Sequence, residues 1–385
     1  MNLLSYYKSI NKRIGLSLSD FYSFLKYYVF RREYKRYMKL NSIPNRRVEK
    51  EEEYKQKWRV LGRVDPIYYR YYSSFVGNDP NLVPVDLSAN IIEPILNPVQ
   101  YRPYYSDKNM FDKIVPNVSA KTLLRKSNGM YLTHDYLRIH ELTVSYLSEV
   151  CSDYTRVVVK PAKETSGGEG IVIFERMDDG RFVSVFSYDK KEYALSVDFL
   201  NRLGDDIVVQ EYLEQAPFFA QFNDASVNTI RMCIYRSVSS NDPVLLGSVL
   251  RIGRKGAHID NACYGGGFVG INPDGSLCHQ VLYKNGVGEV LFNGIDFKND
   301  FIIPHYDQIV EFGKNVCSQI IHHRLIALDI MVDKEGMPRL IEFNLQHFSG
   351  YLIQTTTTSL FGEYTEEVID YCKKNISHRS RFIAE

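Results

Sequence analysis

The stretch Ala327-Leu-Asp329-Ile-Met-Val-Asp-Lys-Glu-Gly-Met-Pro-Arg-Leu-Ile-Glu342-Phe-Asn344 decides how this chain is read. Leu325–Val332 and Pro338–Asn344 predict two strands joined by the turn Asp333-Lys-Glu-Gly-Met337. Side chains two apart on a strand share a face, so Glu342 and Asn344 point the same way. A tight turn brings Asp329 beside them. Two carboxylates and an amide carbonyl then converge as hard oxygen donors, a set suited to Mg²⁺. The plainer alternative is a hairpin with a solvent-facing polar side. Against it, Asp329 and Glu342 interrupt apolar runs, where an unpaired charge is costly.

Working outward, Val157-Val-Val-Lys160-Pro161 is an apolar strand ending in a lysine, whose ammonium would be desolvated unless it met an anion. The loop after it holds Ser166, Gly167, Gly168 and Gly170, small residues that let backbone N–H groups approach phosphate oxygens. Glycine-rich hairpin turns are common, so this signal alone is weak. Ile207-Val-Val-Gln210-Glu211-Tyr-Leu213 places a polar pair at the end of an apolar strand, where it could hydrogen-bond a purine edge. Further strands are expected at Val227–Tyr235 and Val244–Ile252, and a helix over His305–Arg324 with Ile309, Phe312, Val316 and Ile320 on one face. His322 and His323 would close that helix, where positive charge complements its dipole.

In this order the features resemble the ATP-grasp superfamily, which includes D-alanine:D-alanine ligase and biotin carboxylase, over about residues 106–350. The strongest element is Asp329 followed thirteen residues later by Glu342-Phe-Asn344. The resemblance implies an α+β fold in which two lobes grip ATP. It assigns Asp329, Glu342 and Asn344 to Mg²⁺, with two ions expected. Asp107-Lys108 looks like the Asp-Lys pair that opens the nucleotide domain, and Lys160 like the second phosphate lysine. The 162–170 loop, with Ser166, Gly167 and Gly168, would cover the phosphates. Gln210, Glu211 and Leu213 are similar to the hinge that reads adenine, with Gln210 where a glutamate is usual. A closer likeness is to the sugar-transfer-associated ATP-grasp proteins of polysaccharide biosynthesis. It is carried by Ser226-Val-Asn228-Thr-Ile-Arg231, by Gly247-Ser-Val-Leu-Arg251, and by His258-Ile-Asp-Asn261-Ala-Cys-Tyr-Gly265-Gly266-Gly267. It implies Arg231 and Arg251 as catalytic residues beside the metal site, and Asn228, His258, Asn261 and Gly266 as substrate contacts.

The remaining chain bounds the surroundings. Its 385 residues are 44% hydrophobic and 24% charged, ordinary for folded domains. No uninterrupted apolar run predicts a transmembrane helix, and the start lacks the pattern of a secretory signal. Six scattered cysteines form no C-x-x-C, so neither a disulfide framework nor a cysteine zinc site is expected. These features suggest a cytoplasmic protein. Net charge is +9 over residues 1–60 and −8 over the rest. Phe21, Phe24, Leu25 and Tyr28 recur at helical spacing in the basic part. That predicts either a helix packed on the body or a peripheral contact with the inner face of a membrane. No nucleic-acid motif accompanies the charge. Five prolines between 77 and 105 predict an irregular connecting segment.

The expected organisation is a basic, tyrosine-rich helical extension (1–76), the proline-rich connection (77–105) and the first part of the ATP-grasp region (106–155). A small lobe (156–212) and a C-terminal lobe with the metal site (213–385) follow. The expected activity is an ADP-forming carboxylate–amine ligase using ATP and Mg²⁺, acting on a sugar or amino-acid building block of a surface polysaccharide. A kinase on the same fold, and a non-catalytic component of a glycan-assembly complex, are the rivals.

Overall fold

The computed structural model describes residues 24–163, 169–257, 265–346 and 348–378. In chain order the strands are β1 Thr122–Ser127, β2 Met130–Thr133, β3 Arg156–Pro161, β4 Val172–Arg176, β5 Phe182–Ser187, β6 Ile207–Glu211, β7 Thr229–Arg236, β8 Pro243–Ile252, β9 Gly267–Ile271, β10 Val281–Leu282, β11 Gly288–Glu289, β12 Leu291–Phe292, β13 Ile295–Asp296, β14 Leu325–Val332 and β15 Pro338–Asn344. Six make an antiparallel sheet in the order β2-β1-β6-β3-β4-β5, and seven make a second in the order β11-β10-β9-β8-β7-β14-β15. Strands β12 and β13 pair as a separate hairpin. The class is α+β, as expected.

The deciding hairpin forms where the sequence places it. Gly336 takes the positive φ of +82° that the turn needs. Asp333 closes the turn: its Oδ1 accepts the Met337 N–H at 2.8 Å and its Oδ2 the Arg339 Nε–H at 2.7 Å. Alternation then splits β14 between two cores. Ile326, Leu328 and Ile330 meet Ile230, Met232, Ile234 and Leu250 beneath the helix Tyr306–Ser318. Gly313 of that helix sits so close that a Cβ would lie 2.4 Å from the Met232 sulfur. This helix stops short of the predicted Arg324. The chain after it turns to reach Asn97, whose Oδ1 accepts the Arg324 and Leu325 N–H groups at 3.1 and 2.9 Å. His323 is correspondingly buried, and burial pushes its imidazole down to about 4, so it is neutral rather than a dipole-complementing cation.

On the opposite face, Leu325 and Ala327 join Cys233, Tyr235 and Val249 in a core shared with the N-terminal region. That region comprises helix α1 (residues 24–40), α2 (Glu51–Trp58) and α3 (Pro66–Val76). Trp58 is wholly buried, its indole N–H donating to the Pro80 carbonyl at 3.1 Å, and Tyr54 stacks on Tyr69. The helix expected here is present, but its buried side is Tyr27, Tyr34, Tyr37 and Met38, while Phe24, Leu25 and Tyr28 face outward. Phe21 lies outside the described residues. The proline-rich segment is also more ordered than expected. It runs as short helical turns, Val85–Leu87, Ser88–Ile92, Glu93–Leu96, Val99–Tyr101 and Arg102–Ser106. Pro84 and Pro98 stand just before a turn, where no N–H is required, and Pro94 and Pro103 are second residues of turns that continue directly from the one before. Among the described residues no helix is long and apolar enough to cross a membrane.

Candidate functional site

Register assembles the site. Asp329 on β14 lies opposite Glu342 of β15 on one side and Arg231 of β7 on the other. Opposed residues of antiparallel strands project from one face. Asn344 follows two residues along β15 opposite Ala327, and Arg251 of β8 lies opposite Thr229, two residues before Arg231. All five side chains therefore leave the same face of the larger sheet.

The two acids are in contrasting states. Asp329 is 7% exposed, and both its oxygens are held by arginine. Arg231 donates from Nε to Oδ1 and from Nη2 to Oδ2 at 2.9 Å, and Arg251 donates from Nη1 to Oδ2 at 3.1 Å. Asn344 Nδ2 adds a longer contact of 3.4 Å. Burial works against ionisation, but Arg231 and then Arg251 outweigh it and hold the Asp329 carboxyl below its usual range. Glu342 has no hydrogen bond among the described residues. Its nearest cation is Lys108, with Nζ 4.0 Å from Oε2. Burial raises its carboxyl above the ordinary range, against the pull of Lys108.

Lys108 is presented by a short turn whose position several bonds fix. Asp107 Oδ1 accepts the Asn109 N–H at 2.9 Å, the Lys108 N–H donates to the Ala162 carbonyl at 2.8 Å, and Asn109 Nδ2 donates to the Lys126 carbonyl at 3.0 Å. Arg125, almost fully buried, pairs with Asp112 and donates to the Asn109 carbonyl at 2.8 Å. Lys160 arrives from β3. Val157 and Val159 enter the core of the smaller sheet, leaving Val158 and Lys160 on the other face. The pairs Val158–Gln210, Lys160–Val208 and Val158–Ile173 put Ile173, Val208 and Gln210 on that face too. Burial first, then Lys108, pushes the Lys160 ammonium down to about 8, with Glu342 opposing. Lys160 on the smaller sheet and Glu342 on the larger thus feel each other's charge.

The other expected residues fall less simply. The Gln210 amide donates to the Ala120 carbonyl at 3.2 Å and to Thr122 Oγ1 at 3.1 Å, and Glu211 accepts the Lys121 N–H at 2.7 Å. Both side chains tie β6 to the approach to β1 rather than standing open to a purine. Nothing among the described residues hydrogen-bonds the Leu213 backbone. Asn228 is 1% exposed, and its Nδ2 donates to Gln215 Oε1, Phe219 O and Asn223 O at 3.1, 2.9 and 2.8 Å. It fastens the turn before β7 and offers no open side to a substrate. Gly266 is buried directly before β9. Ser166, Gly167, Gly168, His258 and Asn261 lie outside the described residues. Among those described, no cluster of three or more His, Cys, Asp or Glu side chains could hold a metal ion. The metal reading rests on two carboxylates and one amide.

The model of the sugar-transfer associated ATP-grasp family matches residues 93–367. The chain belongs to that family. No curated protein matches it by sequence. Similar solved structures include the biotin carboxylase domain of Hydrogenobacter thermophilus 2-oxoglutarate carboxylase with MgADP and bicarbonate (11% identity, TM-score 0.38, 76% of this chain and 49% of that one). Others are biotin carboxylase from Campylobacter jejuni (10%, 0.39, 72% and 48%) and the D-alanine-D-alanine ligase from Coxiella burnetii (8%, 0.38, 73% and 62%). This chain spans about half the length of the first two. Within this sugar-transfer associated ATP-grasp protein, the sequence reading kept Asp329 for metal and the two arginines for catalysis. The structure ties all three together. It also adds Arg125, whose only sequence signal is a guanidinium directly after the apolar pair Leu123–Leu124.

Proposed function

We propose that this protein is an ATP- and Mg²⁺-dependent ligase joining a carboxylate to an amine through an acyl phosphate, on a sugar or amino-acid component of a surface polysaccharide. The observation that carries the proposal is the convergence of Lys108 and Lys160 on Glu342, opposite the Asp329–Arg231–Arg251 cluster. The donor set fits a hard divalent ion: Glu342 is a partly buried carboxylate, its side chain 34% exposed, whose ionisation burial disfavours and which accepts no side-chain hydrogen bond among the described residues, a state relieved by a cation. Glu342 and Asn344 would hold it, with Asp329 sharing its oxygens between the ion and the arginines. When bound, Mg²⁺ neutralises phosphoryl oxygens as a Lewis acid.

The protein's own groups do the remaining work. Val158 and Ile173, partly exposed, offer an apolar surface for a planar base over the buried Val208, and the Leu213 backbone a hydrogen-bonding edge. Lys108 and Lys160 counter phosphate charge from the smaller sheet, and the 162–170 loop excludes water from the reacting centre. Transfer of the γ-phosphoryl turns an acceptor carboxylate oxygen into a leaving group, so positioning and charge neutralisation are the chief demands. Arg231 and Arg251 supply guanidinium donors to the acyl phosphate and to the oxyanion of the amine adduct. Loss of one such donor lowers the rate on the order of 10²–10³-fold.

Calorimetric titration with Mg-ATP tests the reading. Glu342→Gln should lose the Mg²⁺-dependent part of nucleotide affinity, and equal affinity in both proteins would overturn the metal assignment. An ADP-release screen against amino acids and uronic or amino sugars, with mass analysis, then separates ligation from phosphorylation: an amide with free phosphate, or a phosphorylated acceptor without it.

A further inference from the structure

The outward side of α1 has no part in that chemistry. Phe24, Leu25, Tyr28 and Val29 are 53%, 45%, 49% and 62% exposed, four large apolar side chains within the first turn and a half. Farther along, Arg32, Lys35, Arg36 and Lys39 are exposed on the same side of the helix. Glu33 is the one acid between 24 and 40, and it is engaged by Tyr37 and by Lys284, 3.5 Å away. Beside this face, between α1 and the start of α3, lies a cavity of about 280 Å³ lined by Arg31, Lys35, Arg63 and Arg70, with Asp65 the acid among its lining residues. Arg31 pairs with Asp65 and Arg70 with Glu51, whereas Lys35 has no hydrogen-bond or ion-pair partner among the described residues.

We propose that α1 is a membrane-docking face for anionic phospholipid, with Phe24, Leu25, Tyr28 and Val29 entering the interface. Arg32, Lys35, Arg36 and Lys39 meet headgroup phosphates, and the adjoining cavity receives one headgroup at Lys35 and Arg63. Exposed aromatic and aliphatic side chains backed by cations match the chemistry of the headgroup–acyl boundary. The charge asymmetry supplies the orientation: residues 1–60 carry +9 and the rest −8, so an anionic surface draws this end in and repels the other. An acidic protein surface would satisfy the cations but not four protruding apolar groups. This inference is independent of the proposed reaction.

Cosedimentation of the full chain with vesicles of phosphatidylcholine, with and without phosphatidylserine, tests it. Binding should require phosphatidylserine and weaken with salt. Each cation near an anionic leaflet strengthens partition roughly fivefold, so R32Q/K35Q/R36Q/K39Q should bind on the order of 10³-fold more weakly. A second variant, F24S/L25S/V29S, should lose salt-resistant binding while its circular dichroism and Mg-ATP affinity match wild type. Soluble glycerophosphoserine should compete only weakly, since a headgroup alone lacks the apolar contacts. Indifference to phosphatidylserine, or wild-type binding by the charge variant, overturns the proposal. Capture by polyglutamate without vesicle binding also overturns it, in favour of an acidic protein partner.

Discussion

Asp329 and Glu342 face each other across β14 and β15, yet neutralising each should move stability in opposite directions. Asp329→Asn takes from Arg231 the carboxylate paired with it at 11% side-chain exposure, and removes one contact of Arg251 at 18%. Breaking a buried ion pair from one side costs about 3–5 kcal/mol, because the orphaned charge stays desolvated. Solvent reaching Arg251 places the expectation near the lower end, about 3 kcal/mol. Glu342→Gln removes a carboxylate that burial disfavours, though its side chain is 34% exposed, and that accepts no side-chain hydrogen bond among the described residues, so the fold should become no weaker and should gain a little stability. Urea unfolding at neutral pH, with nucleotide omitted, reads both. A shared lesion in Mg-ATP affinity alongside opposite shifts in midpoint would mark Glu342 as a residue held for function at the fold's expense. The reasoning fails if Asp329→Asn unfolds within 1 kcal/mol of wild type, or if Glu342→Gln is the less stable of the pair. Adding Arg231→Met to Asp329→Asn should recover part of the loss, since the stranded charge goes with it.

Other consequences follow from individual residues. Because the Lys160 ammonium sits near 8 in the free protein, nucleotide binding at pH 9 should take up a proton as the phosphates restore its charge. Titrations in buffers of different ionisation enthalpy measure that uptake, and Lys160→Met should abolish it. Asp86 is 5% exposed, its Oδ1 lacks a hydrogen-bond partner, and burial raises its carboxyl to about 7. A raised acid stabilises most below its unfolded value near 4 and loses that contribution as pH climbs through 7, a change of about 4 kcal/mol over some three units. Asp86→Asn should flatten this decline and gain stability above pH 7, and a mutant with the wild-type slope would refute it. Gly170, at φ +80°, would place a Cβ 2.5 Å from Pro161 Cγ. Gly170→Ala should therefore cost about 1–2 kcal/mol and weaken Mg-ATP binding through the adjoining loop, as denaturation and calorimetry would report.

What the amino-acid order determined is local. Alternation around Asp333–Met337 fixed both strands, their common face and the turn, because a period of two and a glycine with positive φ are written into adjacent residues. Lys160 was legible for the same reason, a charge closing an apolar strand. The rest depended on distance along the chain. Nothing near residue 329 announces that guanidinium groups 98 and 78 positions earlier occupy its oxygens. That pairing comes from the β8-β7-β14 strand order, which periodicity leaves open. Gln210 and Asn228 looked like ligand contacts because polar residues at strand ends can serve a ligand or the backbone equally well. Only packing decided for Ala120, Phe219 and Asn223. The N-terminal helix was predicted, yet which side of it is buried was set by the tertiary fold. Tyr27, Tyr34, Tyr37 and Phe24, Leu25, Tyr28 are alternative apolar stripes on one cylinder, and the body supplies a surface for the first alone.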